Sequence, residues 1–237
     1  MAKVLAAVLE KPGYNEYILI LALRHLSYLF LDLGEGAASL WHVVEKPLAT
    51  LLSHQSNSVR GVCAITARAL ATALPSQHAI LLRAYLNVTT MEYAELSTCK
   101  PESVKLHLGP LQGNAYAVAG LISLIPHSQL GVPNTITKFA LKTAKTLIGL
   151  DPSCKYAAMM VARTEAGWSI VSALTTLGPS FVERKLPDLL DMWKECFQHT
   201  NVPSTEKSVV VFCRLKSCSL EALCNFIQHN EALMGED

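Results

Sequence analysis

The sequence predicts an all-α protein, a right-handed solenoid of antiparallel helix pairs, on three observations. Apolar residues recur at three- and four-residue spacing through most of the 237-residue chain, as in helices that bury one face. No run sustains strand alternation; Val209 to Phe212 is the most β-prone segment, and it leads into helical spacing from Arg214 to Gln228. Helix-breaking elbows recur at Leu33-Gly34, Leu74-Pro75, Ile125-Pro126 and Gly178-Pro179. The breaks at Gly34, Pro75, Pro126 and Gly178 fall 41, 51 and 52 residues apart, and a period of roughly 20 to 50 residues marks stacked repeats.

Composition suits this reading. Hydrophobic residues make up 51% of the chain, charged residues 16% and aromatic residues 7%, so Leu, Ala and Val supply the core of closely packed helices. The Lys3-containing start, a brief apolar run closed by Glu10-Lys11-Pro12, is too short for a signal peptide. The best unbroken apolar runs, Tyr17 to Leu23 and Ala115 to Ile125, fall short of the ~18 residues of a membrane span. A soluble cytosolic protein is expected, with no transmembrane segment. The seven cysteines, an odd number dispersed in apolar surroundings, read as small core hydrophobes in a reducing compartment, and the Asn87-Val88-Thr89 sequon reads as chance.

Helices are predicted at 14–33, 36–54, 57–74, 76–97, 111–126, 133–149, 154–177, 180–199 and 207–230, forming one array over 1–237 with loops near 98–110 and 200–206. In the third of these, Ser56 or Asn57 is placed to cap the start, and Val62, Ile65, Ala69 and Ala73 form the expected core stripe. Pro75 then stops the helix and Ser76 is placed to cap the next, where Ile80, Leu81 and Tyr85 continue the packing. Leu48, Leu51, Leu52, Asn57, Val59-Arg60, Ala64, Ala67 and Leu70 follow the common HEAT pattern. In that pattern Asn57 and Arg60 would bond to the backbone and side chains of neighbouring repeats and hold the stack in register.

Catalytic and cofactor signatures are scarce. Gly34-Glu35-Gly36 lacks the further glycines and Lys-Ser/Thr of a phosphate loop. The chain also lacks a Gly-x-Ser-x-Gly elbow or an evident carboxylate pair. Cys213, Cys218, Cys224 and His229 are spaced too widely for a usual zinc set. A non-enzyme without metal or cofactor is expected. Lys138, Lys142 and Lys145 share one helical face opposite Ile136, Phe139, Ala140 and Leu147, and residues 103–150 carry no acid. The stripe reads first as a solvated face and otherwise as a surface for an acidic peptide or anionic lipid headgroups. Nucleic acid is not expected, because neither aromatic interleaving nor a strongly basic domain is present. Trp41, Trp168 and Trp193 read as core anchors.

Arg68-Ala-Leu-Ala-Thr-Ala-Leu-Pro-Ser-Gln77, Gln129-Leu-Gly-Val-Pro133, Arg163-Thr-Glu-Ala-Gly-Trp168 with Ala173-Leu-Thr-Thr-Leu-Gly-Pro179, and Leu220-Glu-Ala-Leu-Cys224 resemble the HEAT repeat-containing protein 5 family, in the family's order. The chain departs from the family after Pro133, where Asn134 to Lys138 replaces the usual continuation. The resemblance implies a window of a long cytosolic solenoid that associates with the clathrin adaptor of the trans-Golgi network and endosomes and with the adaptor's accessory proteins. It therefore implies a protein-binding scaffold in vesicle-mediated transport, peripheral at Golgi and endosome membranes. The periodicity alone fits equally a scaffold of nuclear transport or phosphatase assembly. A small helical ligand-binding or enzymatic bundle is the competing class.

Overall fold

The computed structural model describes residues 2–11, 13–149, 156–198 and 206–235. Nearly all of the connection expected at 200–206 lies outside these residues, as does Cys154. The described chain is all-helical. Its α-helices are α1 (Ala2–Leu9), α2 (Glu16–Leu33), α3 (Ala38–Leu51), α4 (Asn57–Ala73), α5 (Pro75–Thr98), α6 (Val104–Ile122), α7 (Asn134–Ile148), α8 (Ala157–Thr175), α9 (Pro179–Val182), α10 (Leu186–Gln198) and α11 (Glu206–His229).

Alternate helices form a row: α2 packs on α4, α4 on α6, α6 on α8, and α8 on α11. The intervening helices attach to this row, with α5 laid along α6 and α7 along α8. Each elbow expected from Gly34, Pro75, Pro126 and Gly178 follows a row helix. Gly34 and Gly178 take φ of 53° and 86°, a left-handed conformation that a side chain would strain. The hairpin expected from α4 into α5 is therefore a boundary between packed pairs, and α5 finds its main partner in α6.

Several local expectations are corrected. The N-terminal apolar run forms α1, which buries Leu5, Ala6 and Leu9. The expected 98–110 loop shrinks to residues 99–103, because α6 starts at Val104 and carries Pro110 within it. Proline removes one backbone bond there, but the carbonyl it leaves unpaired belongs to Leu106, a residue 71% exposed that water reaches. The single helix expected at 180–199 is split into α9, a 3₁₀ turn at Glu183–Lys185 and α10. Pro187, second in α10, lacks an N–H and suits a fresh helix start better than a continuation.

Neither Ser56 nor Ser76 makes a side-chain cap. Ile65 and Ile80, expected to face the core, are 61% and 60% exposed. The buried phase of α4 instead runs through Val59, Cys63, Ala67 and Leu70, because this helix must meet α2 on one flank and α6 on the other. The leucines and small residues of the HEAT-like pattern, Leu48, Leu51, Leu52, Val59, Ala64, Ala67 and Leu70, are all buried.

Two stretches, Glu16–Leu51 and Val104–His127, are long and apolar enough to cross a membrane by length and composition. They pass where unbroken apolar runs do not, because averaging tolerates residues such as Arg24 and Gln112. Half of the second window is buried inside the structure, where α6 is packed by α4, α5 and α8.

Candidate functional site

The most organised polar feature of the molecule runs along the helix row. The turn after α3 presents the carbonyls of His54 and Gln55, and Arg60 lies one helical turn into α4. Arg60 is 5% exposed, and its Nη1 donates to His54 O at 2.7 Å and Gln55 O at 2.9 Å. Its Nη2 donates to Asn57 Oδ1 at 3.2 Å and to Gln112 Oε1 of α6 at 2.8 Å. Gln112 Nε2 then donates to Glu165 Oε2 of α8 at 2.6 Å, and Arg214 Nε of α11 donates to Glu165 Oε1. A guanidinium only donates and a carboxylate only accepts, so the amide between them must present oxygen to Arg60 and nitrogen to Glu165.

One side chain from each of α4, α6, α8 and α11 thus forms a continuous polar chain. Burial lowers the Arg60 pKa, with Tyr116 and Glu165 acting in the opposite sense, and the group stays protonated at physiological pH. Tyr116, beside this chain on α6, has its phenol pKa raised by burial and then by the Glu165 charge. Such a network joins successive helices of the row through hydrogen bonds. Arg60, expected with Asn57 to hold repeats in register, bonds to its own turn, to Asn57 and to Gln112 of the next row helix. Gln112, Glu165 and Arg214 were missed. Their separations, 52, 53 and 49 residues, match the elbow period, and that recurrence was the available signal.

A second buried arginine, Arg163, caps the end of α7. Its Nε donates to Leu147 O at 2.9 Å, and its Nη2 to Thr146 O at 3.0 Å and Gly149 O at 2.7 Å. The last carbonyls of a helix have no partners within it, so this cap satisfies groups that burial would leave costly. The guanidinium also lies over the Tyr93 ring, 5.3 Å from its centroid.

The lysine stripe is divided. Lys138 and Lys142 are exposed, whereas Lys145 is half-buried and pairs with Asp188 of α10 at 2.8 Å. Opposite them α7 buries Ile136, Ala140 and Leu147, with Phe139 half-buried. The tryptophans lie in the core. Trp168 and Trp193 stack with centroids 5.9 Å apart, Trp193 meets Phe226 at 5.5 Å, and Trp193 Nε1 donates to Ser219 O at 3.0 Å. Cys218 is buried while Cys213 and Cys224 are exposed, so these thiols point to different sides of α11. No three His, Cys, Asp or Glu side chains converge in a metal-binding group among the described residues. An open cleft between α1 and α3 gathers Glu10, His42, Lys46 and Thr50.

Among known proteins, a distant likeness can be set beside this geometry. Over 191 residues the chain is 29% identical to Protein SWEETIE of Arabidopsis thaliana, which covers 80% of this chain. The chain spans only 8% of that relative's length. No family model matches the chain, and no solved structure matches it.

Proposed function

We propose that the chain is a non-catalytic interaction scaffold, a HEAT-type right-handed solenoid acting in clathrin-adaptor-dependent traffic between the trans-Golgi network and endosomes. The observation that carries the architectural part is the row α2, α4, α6, α8, α11, in which successive helices pack in chain order and a polar chain links four of them. Proteins built of stacked repeats have contacts of this nearest-neighbour kind. The trafficking part rests on the resemblance of Arg163 to Pro179 and its companion segments to the HEAT repeat-containing protein 5 family. A partial match to a far longer protein suits such an array.

In this reading the exposed Lys138 and Lys142 attract an acidic segment of an adaptor subunit or accessory protein. The protein works in the cytoplasm, held peripherally at membranes through its partners. The test is a pull-down from cytosol with the chain as bait, read by mass spectrometry, comparing wild type with Lys138→Glu/Lys142→Glu. Lys145 is left in place because reversing it would also break the pair with Asp188. Adaptor subunits recovered by wild type and lost with the double reversal are the expected result. Equal recovery by both removes the lysines from the interface, and no adaptor on a folded bait removes the trafficking assignment.

A further inference from the structure

Among the described residues, the two ends of the helix row carry matching faces that no helix covers. On α2, residues 17, 21, 24, 28 and 31 fall on one side at alternating steps of four and three, and Tyr17, Leu21, Tyr28 and Leu31 are 50% to 73% exposed. On α11, residues 210, 213, 217, 220, 224 and 227 repeat the spacing, with Val210, Leu220 and Ile227 45% to 64% exposed and Cys213 and Cys224 also exposed. Helices with this spacing interlock through one seam. These are the first and last helices of one row, so covering one with the other continues the row.

Charge and direction agree with that match. Asn225 to Ser172 Oγ and Asn230 to Thr175 O follow the Arg214–Glu165 contact in rising order, so α8 and α11 run parallel. A copy that continues the row presents a parallel α2 to α11. In that direction an offset of 197 residues sets Arg24 against Glu221, and nearly the same offset sets Glu16 against Arg214. Arg24 and Glu221 are exposed, and Arg214, whose Nε is given to Glu165, is half-exposed and keeps its Nη donors. At this register Leu21 falls between Ser217 and Leu220, and Tyr28 between Cys224 and Ile227. An antiparallel α2–α2 contact centred on the stripe would instead oppose Arg24 to Arg24.

We infer that the α11 face of one copy docks on the α2 face of another, giving head-to-tail association with Arg24–Glu221 as its central ion pair. The inference concerns copies of this chain and needs no adaptor. Such a heterologous contact does not close on itself, so it produces a ladder of species and not a dimer alone.

Sedimentation velocity of the full chain over a concentration series tests it. Wild type is expected to show a rising average mass that falls back in high salt. Leu21→Asp blocks the α2 end and Leu220→Asp the α11 end, so each alone is expected to be monomeric. Mixed in equal amounts, the two variants are expected to form one dimer and nothing larger, since one intact head then meets one intact tail. Arg24→Glu or Glu221→Arg alone should weaken association about tenfold, and the two reversals in one chain should restore it. Circular dichroism confirms that each variant is folded. A monomeric wild type, a Leu21→Asp variant that still self-associates, or reversals that fail to rescue each other overturns the inference.

Discussion

Arg60 and Arg163 begin with the same task and differ in what they do next. Both are buried on row helices and reach back to carbonyls at the end of the helix before. Arg163 gives Nε to Leu147 O and Nη2 to Thr146 O and Gly149 O, tying α8 to the end of α7. Arg60 gives Nη1 to its own turn and Nη2 to Asn57 and Gln112, so it also ties that turn to α6 and, through Gln112, to α8. The Arg60 bonds thus run on along the row, whereas the Arg163 bonds go to the end of α7 and its guanidinium lies over Tyr93 of α5. A glycine near each arginine shows the same contrast, Gly113 on the helix that Arg60 reaches and Gly167 on the helix of Arg163 itself. Gly113 of α6 lies against the Leu52 backbone carbonyl and the Arg60 side chain, whereas Gly167 of α8 lies against Ile148, Ala144 and Leu147 of α7.

The largest expected effect follows from that glycine pair. A Cβ on Gly113 would stand 1.8 Å from Leu52 O and 3.1 Å from Arg60 Cδ. The obstacle is backbone, which cannot rotate away, so Gly113→Ala should cost about 3 kcal/mol or more despite the better helix propensity of alanine. For Gly167→Ala the nearest atom, at 2.6 Å, is Cγ1 of the Ile148 side chain, with Ala144 O and Leu147 Cβ at 3.1 Å, so the neighbours must give by less than at Gly113. A net cost of about 1 kcal/mol is expected there. Urea unfolding midpoints of the two variants read the difference, and equal losses would mean that the α3–α6 approach is no tighter than α7–α8.

Next in size are the arginines. Arg60→Met and Arg163→Met should each cost about 3 kcal/mol, since each removes the several hydrogen bonds of a buried guanidinium and leaves their acceptors without that donor. A double-mutant cycle sharpens the contrast. Combined with Gln112→Leu, Arg60→Met should deviate from additivity by about 1 kcal/mol, whereas Arg163→Met should add with it to within about 0.5 kcal/mol. Equal coupling in both cycles would make Arg60 a local cap like Arg163.

The same contrast explains what could be read from sequence. Arg60 was legible as a structural arginine because its turn, Val-Arg step and following small residues sit within one short segment. Its onward partners were not, since Gln112, Glu165 and Arg214 acquire meaning only once α4, α6, α8 and α11 stand side by side. The elbows were legible because Gly and Pro act through local backbone geometry. Pro110 misled for the same reason: its local rule predicts a break, and the tertiary setting of α6 overrides it. Spacing placed Lys138, Lys142 and Lys145 on one face of α7, but the pairing of Lys145 with Asp188 depends on how α10 returns to the row.

His78 offers a test of a polar link that titrates, against Arg60, which stays protonated. It lies on α5, and its Nε2 faces Leu121 O at 2.8 Å, so that nitrogen carries the hydrogen, while Nδ1 meets Ser128 Oγ at 3.1 Å. Burial lowers its pKa, and the bond to Leu121 only partly offsets this. A folded pKa below the unfolded value of about 6.5 means that the unfolded chain binds the proton first. The stability contributed by neutral His78 is therefore full above that pH and falls as pH drops through it toward the folded pKa. His78→Gln should flatten this part of the stability profile, measured by chemical denaturation between about pH 5 and 8. Arg60→Met should lower the whole curve between these pH values without changing its shape, and a change in shape there would show that the contribution of Arg60 depends on pH.

The smallest effect is expected at the surface, and it separates stability from binding. Lys145 and Asp188 are 39% and 47% exposed, so water screens their attraction and ordering two side chains offsets part of it. Asp188→Asn should therefore change the unfolding free energy by less than about 1 kcal/mol. It also frees Lys145 to stand with Lys138 and Lys142 on the outer face of α7. If that face attracts an acidic partner, Asp188→Asn should strengthen capture of the partner while Lys138→Glu/Lys142→Glu abolishes it. If Asp188→Asn leaves capture unchanged, Lys145 takes no part in binding, and the surface available to a partner is the exposed pair alone.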